Sequence, residues 1–202
     1  MDLGAIIKAP TQDKDWIKKI LLMGVFMLIP IAGGLNALGY IKACYEMRKA
    51  GKTELPEASL SYIGAGWWIF VAFLPVIGFM FLFIIVITVL ASVMGRAGGI
   101  VALLGNLAML AFGLALWAAA PAIFFLHIVR GERWASMKIK QILAHAQTHM
   151  STYMWLWLTF FLASLIGGAG QVACGIGILF TMPFSYAIQG VALADYEKTG
   201  AP

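Results

Sequence analysis

From Trp67 to Val129 the chain carries one charged residue, Arg96, and from Tyr153 to Ala194 it carries none. A helix needs roughly 20 apolar residues to cross a bilayer, so each stretch has room for two crossings. Water-soluble domains spend about 25% of their residues on charge; here 11% are charged, 62% are hydrophobic and mean hydropathy is +0.90. A soluble globule is excluded by this pattern. The expected architecture is an all-α integral membrane helical bundle, a single domain over residues 1–202, with about five membrane segments plus an amphipathic interfacial helix.

The first segment is placed at about 20–44, with Asp13 as helix cap and an apolar run containing Pro30, Gly33-Gly34 and Asn36. Lys18 and Lys19 ahead of it imitate a signal peptide. The run continues to Ile41 without a small-x-small cleavage site, so it reads as a retained segment. The others are placed at about 67–94, opened by Trp67-Trp68 and kinked at Pro75, then 100–129, 153–170 and 175–196. Leu3, Ile6 and Ile7 share one face ahead of Pro10, as in a tail lying on a membrane surface.

Residues 134–150 alternate with helical period: Ala135, Ile139, Ile142, Leu143, Ala146 and Met150 share one face, and Lys138, Gln141, His145 and His149 the other. This predicts a helix lying in the interface, with Lys138, Lys140, Arg130 and Arg133 meeting anionic lipid headgroups. A net charge of +5 is explained by such segment-flanking residues, so no nucleic-acid partner is inferred.

Lys and Arg also orient the chain. The tail has four, the loop after the first segment four, the second loop only Arg96, the third loop four, and the C-terminus one. With five spans and the first loop cytoplasmic, nine lie inside and five outside. A hairpin turning at Gly33-Gly34 would place thirteen inside and one outside. Irregular backbone facing lipid opposes such a turn. Ile20–Ile41 is long enough to cross once, and the segment reads as a Pro-kinked span with the tail on the outer side.

Shifting this segment along the chain superposes Pro30 on Pro183 and Asn36 on Gln189. The simplest account is two Pro-kinked helices built alike; twin interrupted segments are also how some transporters form a site. Pro30, Asn36, Pro183 and Gln189 are therefore the candidate intramembrane polar and kink site. Asn36, Asn106, Gln171 and Gln189 are the strongest polar groups in the apolar segments, and amides there hold helices in register.

No catalytic residue, cofactor site or metal site is assigned. His145 and His149 have metal-ligand spacing, but "HAQTH" lacks the glutamate of a zinc-protease helix. A third ligand would have to be His127. Cys44 and Cys174 fall at opposite ends of the expected bundle, which argues against a disulfide. Asp195 and Glu197 read as interface charges. Ala111, Ala115 and Ala119, and Gly33 with Ala37, have the four-residue spacing that brings membrane helices close.

"DKDWIKKILL", "LIPIAGGLNALGYIKA", Leu55-Pro56 and "CGIGILFTMPF" occur in an order that resembles the domain-of-unknown-function 4013 family of prokaryotic membrane proteins. More loosely, the chain is similar to the membrane domains attached to some glycerophosphodiester phosphodiesterases, without their soluble catalytic domain. The resemblance implies a multi-pass protein of a prokaryotic cytoplasmic (inner) membrane and carries no activity with it. From the residues, the expected function is that of a non-catalytic accessory or scaffold subunit of a larger membrane complex, with the lipid bilayer and other membrane subunits as partners. The alternative is a small transporter or lipid-handling protein with its site between the two Pro-kinked segments.

Overall fold

The computed structural model describes residues 2–148, 150–172 and 175–199. Among them the chain forms eight α-helices and no strand. Helix α1 is Leu3–Lys8. The first long apolar segment is then divided into α2, Trp16–Phe26, and α3, Ala32–Lys49. At the break Pro30 has no N–H to continue a helix. Ile31 takes φ 63°, the only positive φ at a non-glycine residue among those described. For a β-branched side chain that conformation is strained.

Two helices of this segment fold back on each other. Asn36 Nδ2 lies 3.9 Å from Met23 Sδ across a separation of 13 residues; one continuous helix would hold them about 20 Å apart. Ile20, Met23, Tyr40 and Cys44 share a buried cluster. Gly33 permits the turn, because a Cβ there would lie 2.3 Å from the Phe26 carbonyl oxygen. The Pro-kinked span expected over 20–44 is thus a helical hairpin, and the tail returns to the end of the bundle where α3 finishes. Nor does the tail lie free on a surface. Ile6 is buried in the main core cluster, which draws on α3, α4, α7 and α8.

The remaining helices are α4, Ile63–Val93; α5, Gly98–Ile128; α6, Ile139–Thr148; α7, Met150–Ala169; and α8, Ile178–Glu197. Four of them, α4, α5, α7 and α8, are long and apolar enough to cross a membrane. The chain is therefore a membrane protein. Helices α4 and α5 have 31 residues each and α7 and α8 have 20, or about 46 Å against about 30 Å. A hydrocarbon core of about 30 Å accommodates the longer pair by tilt.

Helix α8 is the centre of the bundle. Over its most apolar window 56% is buried, against 11% for α4 and 6% for α5. Close approaches are made through glycine. A Cβ on Gly39 would lie 2.0 Å from the Tyr62 carbonyl, and one on Gly66 1.6 Å from the Leu35 carbonyl, so α3 and α4 touch backbone to backbone. Gly190 brings α8 close to Ile41 of α3, where a Cβ would lie 2.4 Å from the carbonyl oxygen, and Gly24 brings α2 against the Leu179 carbonyl of α8. That carbonyl is available because Pro183, four residues on, offers it no N–H. Pro183 therefore sits inside a continuous, buried helix, whereas Pro30 stands exposed in a break. The two halves of the sequence match are not built alike.

Charged groups gather at one end. Arg48 makes a two-pronged contact with Asp195, with Nε–Oδ1 at 3.0 Å and Nη2–Oδ2 at 2.9 Å. Lys49 Nζ lies 2.8 Å from Glu197, which also accepts from Tyr45 Oη at 2.8 Å. These contacts tie the end of α3 to the end of α8. Asp13 is not a simple helix cap: Oδ1 accepts from the Asp15 amide, and Oδ2 accepts from Lys19 Nζ and the Leu55 amide.

Two measurements check this arrangement. With Cys44 and Cys174 replaced by alanine, single cysteines at Asp2 and Thr199 should react with an impermeant maleimide from the same membrane face, and one at Arg96 from the opposite face. Labelling of Asp2→Cys together with Arg96→Cys would restore the span. Gly39→Ala must push α3 and α4 apart, and should lower stability in detergent by about 1–3 kcal/mol, seen as a reduced melting temperature.

Candidate functional site

The four residues expected to form an intramembrane site do not converge. Pro30 is exposed at the α2–α3 turn. Asn36 is fully buried, and its Nδ2 donates to the Ser59 carbonyl at 2.9 Å, pinning the segment that leads into α4. Among the described residues its Oδ1 has no hydrogen-bond partner. Gln189 faces elsewhere, into a cleft between α5, α7 and α8. Pro183 is buried in α8.

That cleft is a concave feature of the apolar region. It has a volume of about 100 Å³, walls of Trp117, Phe124, Trp157, Phe160 and Phe161, and Ser164 and Gln189 as its polar groups. The aromatic walls hold one another. Trp117 meets Trp157 edge-on at 4.9 Å and Phe161 at 5.2 Å, and Trp157 stacks on Phe161 at 5.7 Å. Such pairs add about 0.5–1.5 kcal/mol beyond burial, which keeps the walls in fixed orientation. Pro121 lines the same cleft and leaves the Trp117 carbonyl without its usual helical donor.

Ser164 spends its hydroxyl proton on the Phe160 carbonyl at 2.8 Å. Gln189 is 7% exposed, and its single hydrogen bond among the described residues is a long one, Nε2 to Ser185 Oγ at 3.4 Å. A primary amide has two donors and an acceptor oxygen, so most of its capacity faces the cleft. Gln189 was legible in the sequence as a polar residue in an apolar helix. The aromatic walls were not, since aromatics on apolar helices have no periodicity that separates a cleft from a core.

The expected basic surface is divided. Arg133 lies over Trp68 at 5.0 Å and Arg130 over Phe125 at 5.7 Å, both exposed at the charged end. Lys138 pairs with Glu132, and Lys140 is exposed. The interfacial helix expected over 134–150 is a short 3-10 turn followed by α6, and its buried side differs from the expected one. Ile142 and His145 face the bundle, while Ile139 and Leu143 are exposed. His145 turns inward because its ring stacks on Phe125 at 4.5 Å and bonds Tyr196 Oη at 2.9 Å. His149 and Cys174, the partners considered for His145 and Cys44, lie outside the described residues. Cys44 is a buried free thiol. Among the described residues no group of three or more His, Cys, Asp or Glu is placed to hold a metal ion.

The charged end has its own buried centre. Lys19 Nζ contacts Asp13 Oδ2, Glu57 Oε1 and the Leu55 carbonyl, each at 2.9 Å. Burial pushes the Asp13 carboxyl up, but the amides of Asp15 and Leu55 and the Lys19 ammonium outweigh it and hold it below the ordinary value of 3.8. Its pairing therefore contributes in full above 3.8 and is lost as pH falls through the lower folded value. Asp13→Ala leaves the Leu55 amide without its acceptor and Lys19 with only Glu57 and the Leu55 carbonyl, and should cost about 1–3 kcal/mol near neutral pH. In thermal melts the difference from wild type should close as the medium is acidified below 3.8.

No protein-family model, curated protein or solved structure matches this chain.

Proposed function

We propose that this protein is a non-catalytic accessory subunit of a prokaryotic cytoplasmic-membrane complex, docking on a helix of another membrane protein through the α4–α5 hairpin. The observation that carries this reading is Asn106. Its side chain is exposed on α5, among exposed Leu103, Leu107 and Leu110, and it hydrogen-bonds to none of the described residues. An amide facing hydrocarbon is costly, and a neighbouring helix that accepts and donates to it removes that cost.

The remaining features support an accessory role. Asp195 and Glu197 are engaged by Arg48 and Lys49 as ties between helix ends. Thirteen of the fourteen Lys and Arg residues belong to the end that carries the tail, α6 and the C-terminus, which orients that end to the cytoplasm. Arg130, Arg133 and Lys140 there suit contact with anionic headgroups. The resemblance to the domain-of-unknown-function 4013 family supports the same membrane and leaves the activity unnamed.

Purification from native membranes in a mild detergent should recover the protein with a second membrane protein in fixed ratio. Asn106→Leu, which does not touch the buried core, should leave the melting temperature unchanged and release that partner. Recovery as a monomer, or as a homo-oligomer that Asn106→Leu dissociates, would overturn the proposal.

A further inference from the structure

The geometry points to a binding site for a flat, oxygen-bearing ring of the lipid-soluble quinone class in the cleft between α5, α7 and α8, with Gln189 as its polar anchor. This goes beyond the accessory role, which rests on Asn106, about three turns before Trp117 on α5.

Three observations select the ligand. The first is size. An apolar cavity of about 150 Å³ encloses benzene, so a cleft of about 100 Å³ that is open on one side takes in one six-membered ring only in part, by its edge, and leaves the rest outside. Of the lining residues Trp117 and Ser164 are exposed, so a hydrophobic tail has a way out into the surrounding lipid. The second is wall shape. Trp117, Trp157 and Phe161 are locked edge-to-face and stacked, which presents flat faces and ring edges to a flat guest.

The third is the amide. Gln189 is more than nine-tenths buried, two turns of α8 below Glu197, and its one hydrogen bond is the long contact with Ser185. A saturated acyl chain would fill the apolar space and leave that amide desolvated and unpaired, which is unfavourable. A ring carbonyl accepts from Nε2, and a ring hydroxyl donates to Oε1, so the same side chain serves either form of the guest without moving. A phospholipid headgroup is too large and too strongly hydrated for an aromatic cleft of this volume. The inference concerns binding alone; no electron transfer is assigned.

The test uses the full chain in dioleoylphosphatidylcholine vesicles, with a single-prenyl benzoquinone as the probe and tryptophan fluorescence as the readout. Saturable quenching is expected above the collisional background. Gln189→Leu should raise the apparent Kd about tenfold, the loss of one good hydrogen bond, and Ala120→Phe should abolish the saturable component by filling the cleft while keeping the amide. Quenching that stays linear in quinone overturns the site. Equal affinity in Gln189→Leu removes the amide from it, and displacement of the probe by palmitic acid at equal concentration assigns the cleft to an acyl chain instead. Where Gln189→Leu fails to insert, Ala120→Phe alone decides the matter.

Discussion

Helix α3 touches its neighbours through bare backbone, and the rest of the bundle is arranged around that fact. Gly39 and Gly66 interlock α3 with α4, and Gly190 sets α8 against α3 near Ile41. In a bilayer, helix association gains little from apolar burial, because lipid is as apolar as leucine. Close packing supplies the attraction instead, and it is greatest where no side chain separates two helices. Gly24 extends the same logic to α2, which rests on the Leu179 carbonyl that Pro183 leaves free.

Electrostatics then closes the end that packing leaves open. The Arg48–Asp195 and Lys49–Glu197 contacts bind the ends of α3 and α8, and the Asp13–Lys19 pair fastens the entry of α2 to the chain at Leu55. These groups lie where four chain segments meet, so each pair joins elements far apart in sequence. The apolar hairpin α4–α5 leans out from this body with most of its surface unshared. A compact, ionically sealed body with an apolar arm suits a protein that associates within the membrane plane. The aromatic cleft lies where α5 meets α7 and α8, about three helical turns along α5 from Asn106.

Much of the fold was legible residue by residue. The charge-free runs marked the four long helices, and the amides singled out in them include both Asn106 and Gln189. Legibility failed where two distant segments decide an orientation. His145 reads as solvated by its helical period, yet Phe125 and Tyr196 draw it inward. Asn36 and Gln189 align in sequence and diverge in space, since Asn36 is claimed by Ser59 and Gln189 faces α5 and α7.

The sequence by itself determined that this chain lives in a membrane as helices, because the length and purity of its apolar runs leave the backbone no other way to satisfy its hydrogen bonds. It also determined where the chain could turn, by placing Pro30 before two glycines. Only the tertiary structure decided that it does turn there. A proline permits a kink or a reversal equally; contacts of Met23 with Asn36, of Gly24 with Leu179 and of Lys19 with Leu55 choose the reversal, and those partners are brought together by the whole fold.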